Sequence, residues 1–188
     1  MPLLMLKDLP RYECLLEAAR EFPDLDPSAT EVFLNLLRTG DEAFRAVEAH
    51  LAQHDITQGR FGVLMALWAC DGAAECGATL SPAVLAERTG VTRATITGLV
   101  DTLERDGLVS RSPDPEDRRM LSVGLTARGE KLLRKILPSH FRQMAWLMQP
   151  LSESERKTLV RLLTKVLQRA AEVPPTAASS APVLSSAR

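Results

Sequence analysis

No stretch of this 188-residue sequence approaches the roughly 20 consecutive apolar residues that a membrane helix needs. The opening, MPLLMLKDLPRYE, is interrupted by Lys7, Asp8 and Pro10, too early for a secretory signal. Cysteine is sparse and odd in number, with only Cys14, Cys70 and Cys76. A disulfide framework is therefore not expected, and a reducing, cytoplasmic setting is. Charge of one sign is also missing. The net charge is −1 and the pI about 6.3, so there is no bulk pull toward nucleic acid, and any such site must be a local patch. Lysine is rare: Lys7, Lys131, Lys135, Lys157 and Lys165 are the only five among 23 cationic residues. The rest are arginines, whose planar forks suit phosphates and base edges, although genome composition produces the same bias. Catalytic equipment is lacking too. No nucleophile with a positioned base, no phosphate loop and no metal-ligand set can be assembled, so neither an enzyme nor a cofactor is expected.

What is present is helical periodicity. Residues 11–22 read as a short helix with Leu15, Leu16, Ala19 and Phe22 along one side. Asp26 or Ser28 can cap a long helix over about 28–53, with Pro27 in its first turn. Val32, Phe33, Leu36, Leu37, Phe44, Val47 and Leu51 recur along it at three- and four-residue steps. Thr57 caps a further helix carrying Phe61, Val63, Leu64, Leu67 and Trp68. Two shorter helices follow. The first has Ser81 as N-cap, Pro82 at its first position and Gly90 just past its end. The second runs from Thr92 as N-cap to Gly107 as stop, with Ile96, Leu99, Val100 and Leu103 on its apolar side. Only Gly90 to Thr92 separate the two, as in a helix-turn-helix.

LVSRS and RMLSVGL then alternate as two strands around the turn PDPED. Thr126 opens another long helix, in which Pro138 should produce a kink or a weak point. Ser152 and Glu155 have capping-box spacing before a last helix with Leu159, Leu162, Leu163, Val166 and Leu167. A helix-turn-helix followed by a two-stranded ribbon predicts a mainly α chain: a winged helix-turn-helix with flanking N- and C-terminal dimerisation helices. The expected divisions are 1–56 for N-terminal dimerisation helices, 57–125 for the winged helix, 126–172 for C-terminal dimerisation helices and 173–188 for a disordered tail of Pro, Ala and Ser. The flanking helices carry more apolar surface than one winged helix covers, so a second copy of the chain is the expected partner.

In a helix-turn-helix the second helix enters the major groove of double-stranded DNA and its first turns reach base edges. The outward residues here are Thr92, Arg93, Thr95, Thr97, Asp101, Thr102 and Arg105. Arg93 suits a guanine edge, and threonine serves a base or a phosphate. The ribbon beside that helix lies over the neighbouring minor groove, which is narrow and negative at A·T-rich steps and favours arginine. Arg118 and Arg119 sit on its rim, and Asp117 can hold a guanidinium fork in a fixed direction. Taken alone, the arginine pair also fits an ordinary turn salt bridge with Asp114 or Asp117, the lesser of the two readings.

Residues 81–130, with the stretch DPEDRR followed by VGLT and a glycine, resemble the winged helix of the MarR family of bacterial regulators. The resemblance extends over about residues 28–170. It implies an obligate homodimer, a pseudo-palindromic operator, repression of nearby genes and release by a small aromatic or anionic ligand. It also makes Arg119 the minor-groove reader, with Asp117 as its orienting partner. One departure is Gly98, where many members carry an arginine; a glycine inside a helix costs roughly 1 kcal/mol against alanine.

The extra N-terminal helix is similar to that of urate-responsive members, but Tyr12 stands where those use tryptophan. A cysteine-based redox sensor through Cys14 is an alternative. Glu13 and Glu17 nearby raise a thiol pKa, so a buried structural cysteine is the expectation. His50 and His54 at i, i+4 with Asp55 have zinc-compatible spacing, but His140 is the only other histidine and no metal is expected. Phe44, Phe61, Met65 and Trp68 are the candidate lining of an effector pocket between the dimer helices and the winged helix. A winged helix serving protein–protein contact would need an apolar or acidic recognition face, and this one carries Arg93 and Arg105.

Overall fold

A computed structural model describes residues 2–4, 6, 8–68, 79–113 and 121–172. Among them, seven helices and two strands follow in the order α1 (Tyr12–Glu21), α2 (Pro27–Ala52), α3 (Gln58–Trp68), α4 (Pro82–Thr89), α5 (Arg93–Arg105), β1 (Val109–Pro113), β2 (Leu121–Leu125), α6 (Ala127–Leu147) and α7 (Glu153–Ala171). This is the mainly α winged helix-turn-helix that the periodicity predicts. Two units are distinguished, Met1–Gln143 and Met144–Arg188.

Local side chains start and stop the helices. Asp26 accepts the backbone N–H groups of Ser28 and Ala29, and Pro27 opens α2. Thr57 caps α3 through the N–H of Arg60. Ser81 accepts from the N–H of Val84, and Gly90, at φ +68°, ends α4 in the left-handed region that glycine enters without steric cost. Ser152 and Glu155 form both halves of a capping box at α7. α6 runs unbroken through Pro138, whose missing N–H leaves the carbonyl of Arg134 without its helical donor.

The core of the first unit lies where α3, α4, α5, the ribbon and α6 converge. Val63 and Leu64 of α3, Leu85 of α4, Ile96 and Leu103 of α5, Val123 of β2 and Leu133 and Ile136 of α6 are fully buried in one cluster. β1 and β2 pair antiparallel with Val109 opposite Leu125. Leu80 adds a third rung, exchanging backbone hydrogen bonds of 2.9 and 2.8 Å with Val123 and so pinning the entry to α4 on the ribbon. The N-terminal segment is held by Asp41, a buried residue of α2 whose carboxylate accepts from the N–H groups of Leu3 and Leu4 at 2.7 and 2.9 Å. The hydrogen bond from Leu3 in particular holds its pKa below the usual carboxylate range.

Much of the flanking helices is uncovered in the single chain. On α2, Val32, Phe33 and Phe44 are exposed, whereas Leu51 is buried. In the second unit, Trp146, Leu159, Val160, Leu162, Leu163, Val166 and Leu167 are exposed, and α7 has no buried residue. On α1 only Leu15 is buried, and Leu16 and the C-cap residue Phe22 are exposed. Cys14 is also exposed, which corrects the expectation of a buried structural thiol: it sits on the outer side of a short helix that buries a single residue.

The junction between α5 and α6 is closely packed. The Thr126 hydroxyl donates to the carbonyl of Gly107 at 2.7 Å, and its N–H donates to that of Leu108 at 3.1 Å. The same hydroxyl accepts the N–H of Gly129 at 3.1 Å, which caps α6. A Cβ on Gly129 would stand 2.1 Å from the Leu108 carbonyl oxygen. At Gly98 a Cβ would meet nothing within 4 Å. Urea unfolding should therefore separate the two glycines: Gly129→Ala loses about 1–3 kcal/mol or more by overpacking against backbone, while Gly98→Ala gains roughly 1 kcal/mol. Equal effects of the two substitutions would contradict the close approach at Gly129.

Candidate nucleic-acid interface

The turn of the helix-turn-helix closes through backbone hydrogen bonds from Gly90 to Glu87 and from Val91 to Ala86, both 3.2 Å. Thr92 then accepts the N–H of Thr95 at 3.2 Å and starts α5. Ile96, Val100 and Leu103 are buried, which turns Arg93, Ala94, Thr95, Thr97 and Gly98 to solvent. The threonines are already oriented. The Thr92 and Thr95 hydroxyls lie 2.9 Å apart, and that of Thr97 donates to the Arg93 carbonyl at 3.0 Å. Thr102 is half-buried and donates to the Leu99 carbonyl, so its hydroxyl is directed inward along the helix.

Acidic residues on α5 would repel a phosphate backbone, and each is taken up by an arginine from another element. Arg111 of β1 reaches Asp101 and Glu104, both at 2.5 Å, and its N–H also donates to Glu104 at 3.2 Å. The hydrogen bond to Asp101, followed by that to Glu104, holds the Arg111 guanidinium above its ordinary pKa despite partial burial. Arg60 of α3 pairs with Asp106 at the C-terminal cap of α5. Arg93 and Arg105 are left, among the described residues, as exposed cations of α5 without an ion-pair partner. A chain with net charge −1 thus offers a cationic recognition face because its carboxylates are neutralised locally. Asp101, outward by periodicity alone, belongs to this clamp on the wing. The signal missed in the sequence was Arg111, ten residues from Asp101 and seven from Glu104. Asp117, Arg118 and Arg119 lie outside the described residues.

Beside α5 opens a groove of about 690 Å³, walled by Phe44 of α2, Gly59, Gly62 and Met65 of α3, Arg88 of α4, Val91 of the turn and Leu99 of α5. Of the four candidate lining residues it contains Phe44 and Met65. Phe61 is instead buried in the core against His140, because α3 is apolar nearly all round and its periodicity did not mark a side. Trp68 is half-buried with the Arg134 guanidinium 5.1 Å over its ring.

His50 and His54, at the end of α2 and just beyond it, meet the distant His140 of α6. His50 lies 5.4 Å from His54 and 5.8 Å from His140, and Phe61 meets His140 edge-on at 5.0 Å. The described residues contain no group of three or more His, Cys, Asp or Glu placed to hold a metal. Burial, and then the neighbouring His50, lower the pKa of both His54 and His140. Their buried Nδ1 atoms have no hydrogen-bond partner in the described structure.

A sequence model described as MarR family matches residues 54–120. The HTH-type transcriptional repressor YetL of Bacillus subtilis (strain 168) is 36% identical over 164 residues, covering 87% of this chain and 95% of that protein. Among solved structures, the S. aureus MepR–DNA complex has a TM-score of 0.62 at 28% identity, covering 73% of this chain and 96% of MepR. CouR from Rhodococcus jostii RHA1, bound to p-coumaroyl-CoA, has a TM-score of 0.60 at 25% identity, covering 78% of this chain and 95% of CouR.

The histidine cluster sets a pH dependence. Because the folded-state pKa values of His54 and His140 are lowered, the unfolded chain takes up protons first. Stability is full above the ordinary histidine pKa of about 6.5 and falls as pH drops through and below it. Thermal unfolding from about pH 7.5 to about pH 5, above the carboxylate range, should show this loss, and His140→Gln should lessen it. An unchanged pH slope in the variant would contradict the assignment.

Proposed function

The chain belongs to the MarR family, and from that membership we propose that it acts as a homodimeric repressor that a small aromatic or anionic ligand releases from a pseudo-palindromic operator. Its class is that of DNA-binding transcriptional regulators. The observation that carries the reading is the recognition helix itself: Asp101, Glu104 and Asp106 are each occupied by an arginine from a neighbouring element, while Arg93 and Arg105 have no ion-pair partner among the described residues.

In this reading residues 57–125 contact DNA. Arg93 reads a base edge, and Thr92, Thr95, Thr97 and Arg105 serve bases or phosphates near it. Arg119, oriented by Asp117 and flanked by Arg118, enters the minor groove, a role that rests on the family resemblance. Residues 1–56 and 126–172 supply the dimer contacts, since the exposed apolar faces of α2 and α7 are what a second copy would cover. The groove at Phe44 and Met65 takes the effector, because Leu99 and Val91 in its wall belong to the recognition helix and the turn before it. CouR, solved with p-coumaroyl-CoA, is a relative in which an aromatic acyl thioester is bound. No catalytic step is assigned. No helix among the described residues is long and apolar enough to cross a membrane, and we place the protein in the cytoplasm, on the nucleoid when bound.

Two measurements test this. Sedimentation at micromolar concentration should give a dimer, and a monomer there would sink the assembly. Titration of a fragment carrying the protein's own promoter, at one fixed salt concentration, should give saturable, sequence-dependent binding. Arg119→Ala should weaken it by about 1–3 kcal/mol, most on A·T-rich flanks, and Arg93→Ala should relax the preference at one position of each half-site. Wild-type affinity for both variants would mean that neither the wing nor the helix reads DNA.

A further inference from the structure

A second cavity, of about 510 Å³, lies between the His54–Ile56 connection, the exit of α5 and the first turns of α6. It shares no lining residue with the groove at Phe44 and Met65. Its floor is apolar: Ile56 and Leu108 are buried and Leu132 is half-buried against the core. Its rim is cationic. Arg60, Arg128, Lys131 and Lys135 face two carboxylates, Asp55 and Asp106, and Asp106 is already committed to Arg60. Three cationic side chains of α6, Arg128, Lys131 and Lys135, have no ion-pair partner among the described residues. Two residues of its lining, Arg60 and His54, have a buried Nε and a buried Nδ1 without a hydrogen-bond partner in the described structure. At the rim Asp55 has φ +54°, the only non-glycine residue of the described chain in the left-handed region. Such a conformation in a non-glycine residue persists only where the surroundings enforce it.

From this arrangement we propose that the cavity is a second ligand site, for an amphipathic organic carboxylate whose head is held by Lys131, Lys135 and Arg128 and whose apolar body lies on Ile56, Leu108 and Leu132. The size is that of ligand sites generally, about 300–1,000 Å³. The charge selects an anion. The floor selects against a bare phosphate, which gains nothing from burying three aliphatic side chains. An occupant would touch Asp106 and Leu108, at the joint that fixes the C-terminal end of the recognition helix. The site stands apart from the effector groove assigned above, and its test needs no DNA, so failure of the repressor reading leaves it unaffected.

Calorimetric titration of the full-length protein with octanoate tests it, with 1-octanol and inorganic phosphate as parallel probes. Octanoate should bind saturably and at least roughly tenfold more tightly than either control, because only it uses both rim and floor. The double variant Lys131→Ala/Lys135→Ala, at two exposed positions, should lose about tenfold or more in octanoate affinity, while Met65→Ala in the other groove should leave it unchanged. Absence of saturable octanoate binding at millimolar concentration overturns the proposal. Equal binding of 1-octanol or phosphate does so as well, as does a loss confined to Met65→Ala.

Discussion

Two backbone carbonyls, those of Gly107 and Leu108, determine how this protein presents its recognition helix. A helix that ends leaves carbonyls without partners, and a helix that begins leaves N–H groups without partners. At the end of α5 the carbonyls of Thr102, Leu103 and Glu104 accept from the N–H groups of Asp106, Leu108 and Gly107, while Thr126 meets the second need and ties the exit to it: it donates to the carbonyls of Gly107 and Leu108, just beyond α5, and accepts from the N–H of Gly129. The contact is possible only because Gly129 has no side chain to collide with Leu108. Gly107, at φ +68°, turns the chain out of α5 so that Leu108 and Val109 drop into the core and the wing begins. The exit of α5 and the start of α6 are thus joined by two hydrogen bonds and a close backbone approach.

Charge completes what the joint positions. Ion pairs on a protein surface contribute little to stability in most cases, about 0–1 kcal/mol. Their value at α5 is different. Arg60 and Arg111 remove three carboxylates from the field that an approaching phosphate backbone would meet, and they tie α3 and β1 to the helix while doing so. A protein of nearly balanced charge needs such local sorting to bind a polyanion at all.

The parts of this fold that were legible in the sequence are those decided within one helical turn. Asp26, Ser81, Thr92 and Ser152 cap helices where their spacing placed them, and Gly90 and Gly107 end helices in the left-handed region that favours glycine. The illegible parts depend on partners distant in the chain. Arg60 meets Asp106 across 46 positions, and Ser139 approaches His50 across 89. No local pattern announces such pairs. Phe61 and Phe44 illustrate the same boundary: both occupy apolar positions of helices, but only tertiary packing sends the first into the core and leaves the second on a groove. Gly129, the glycine that follows the VGLT stretch, was readable as a family mark, whereas its reason, a 2.1 Å approach of its missing Cβ to the Leu108 carbonyl, required coordinates.

The central claim is that two copies of this recognition helix, each held by its joint to α6, read one DNA site. Selection of bound sequences from a pool of random duplexes, with the purified full-length protein at fixed salt, addresses it most directly. Two helices fixed in a symmetric pair can reach only major grooves on one face of the duplex, about one helical turn or about 34–36 Å apart. The account predicts enrichment of an inverted repeat with that half-site spacing. Enrichment of a single unrepeated element, or of no sequence, would contradict it.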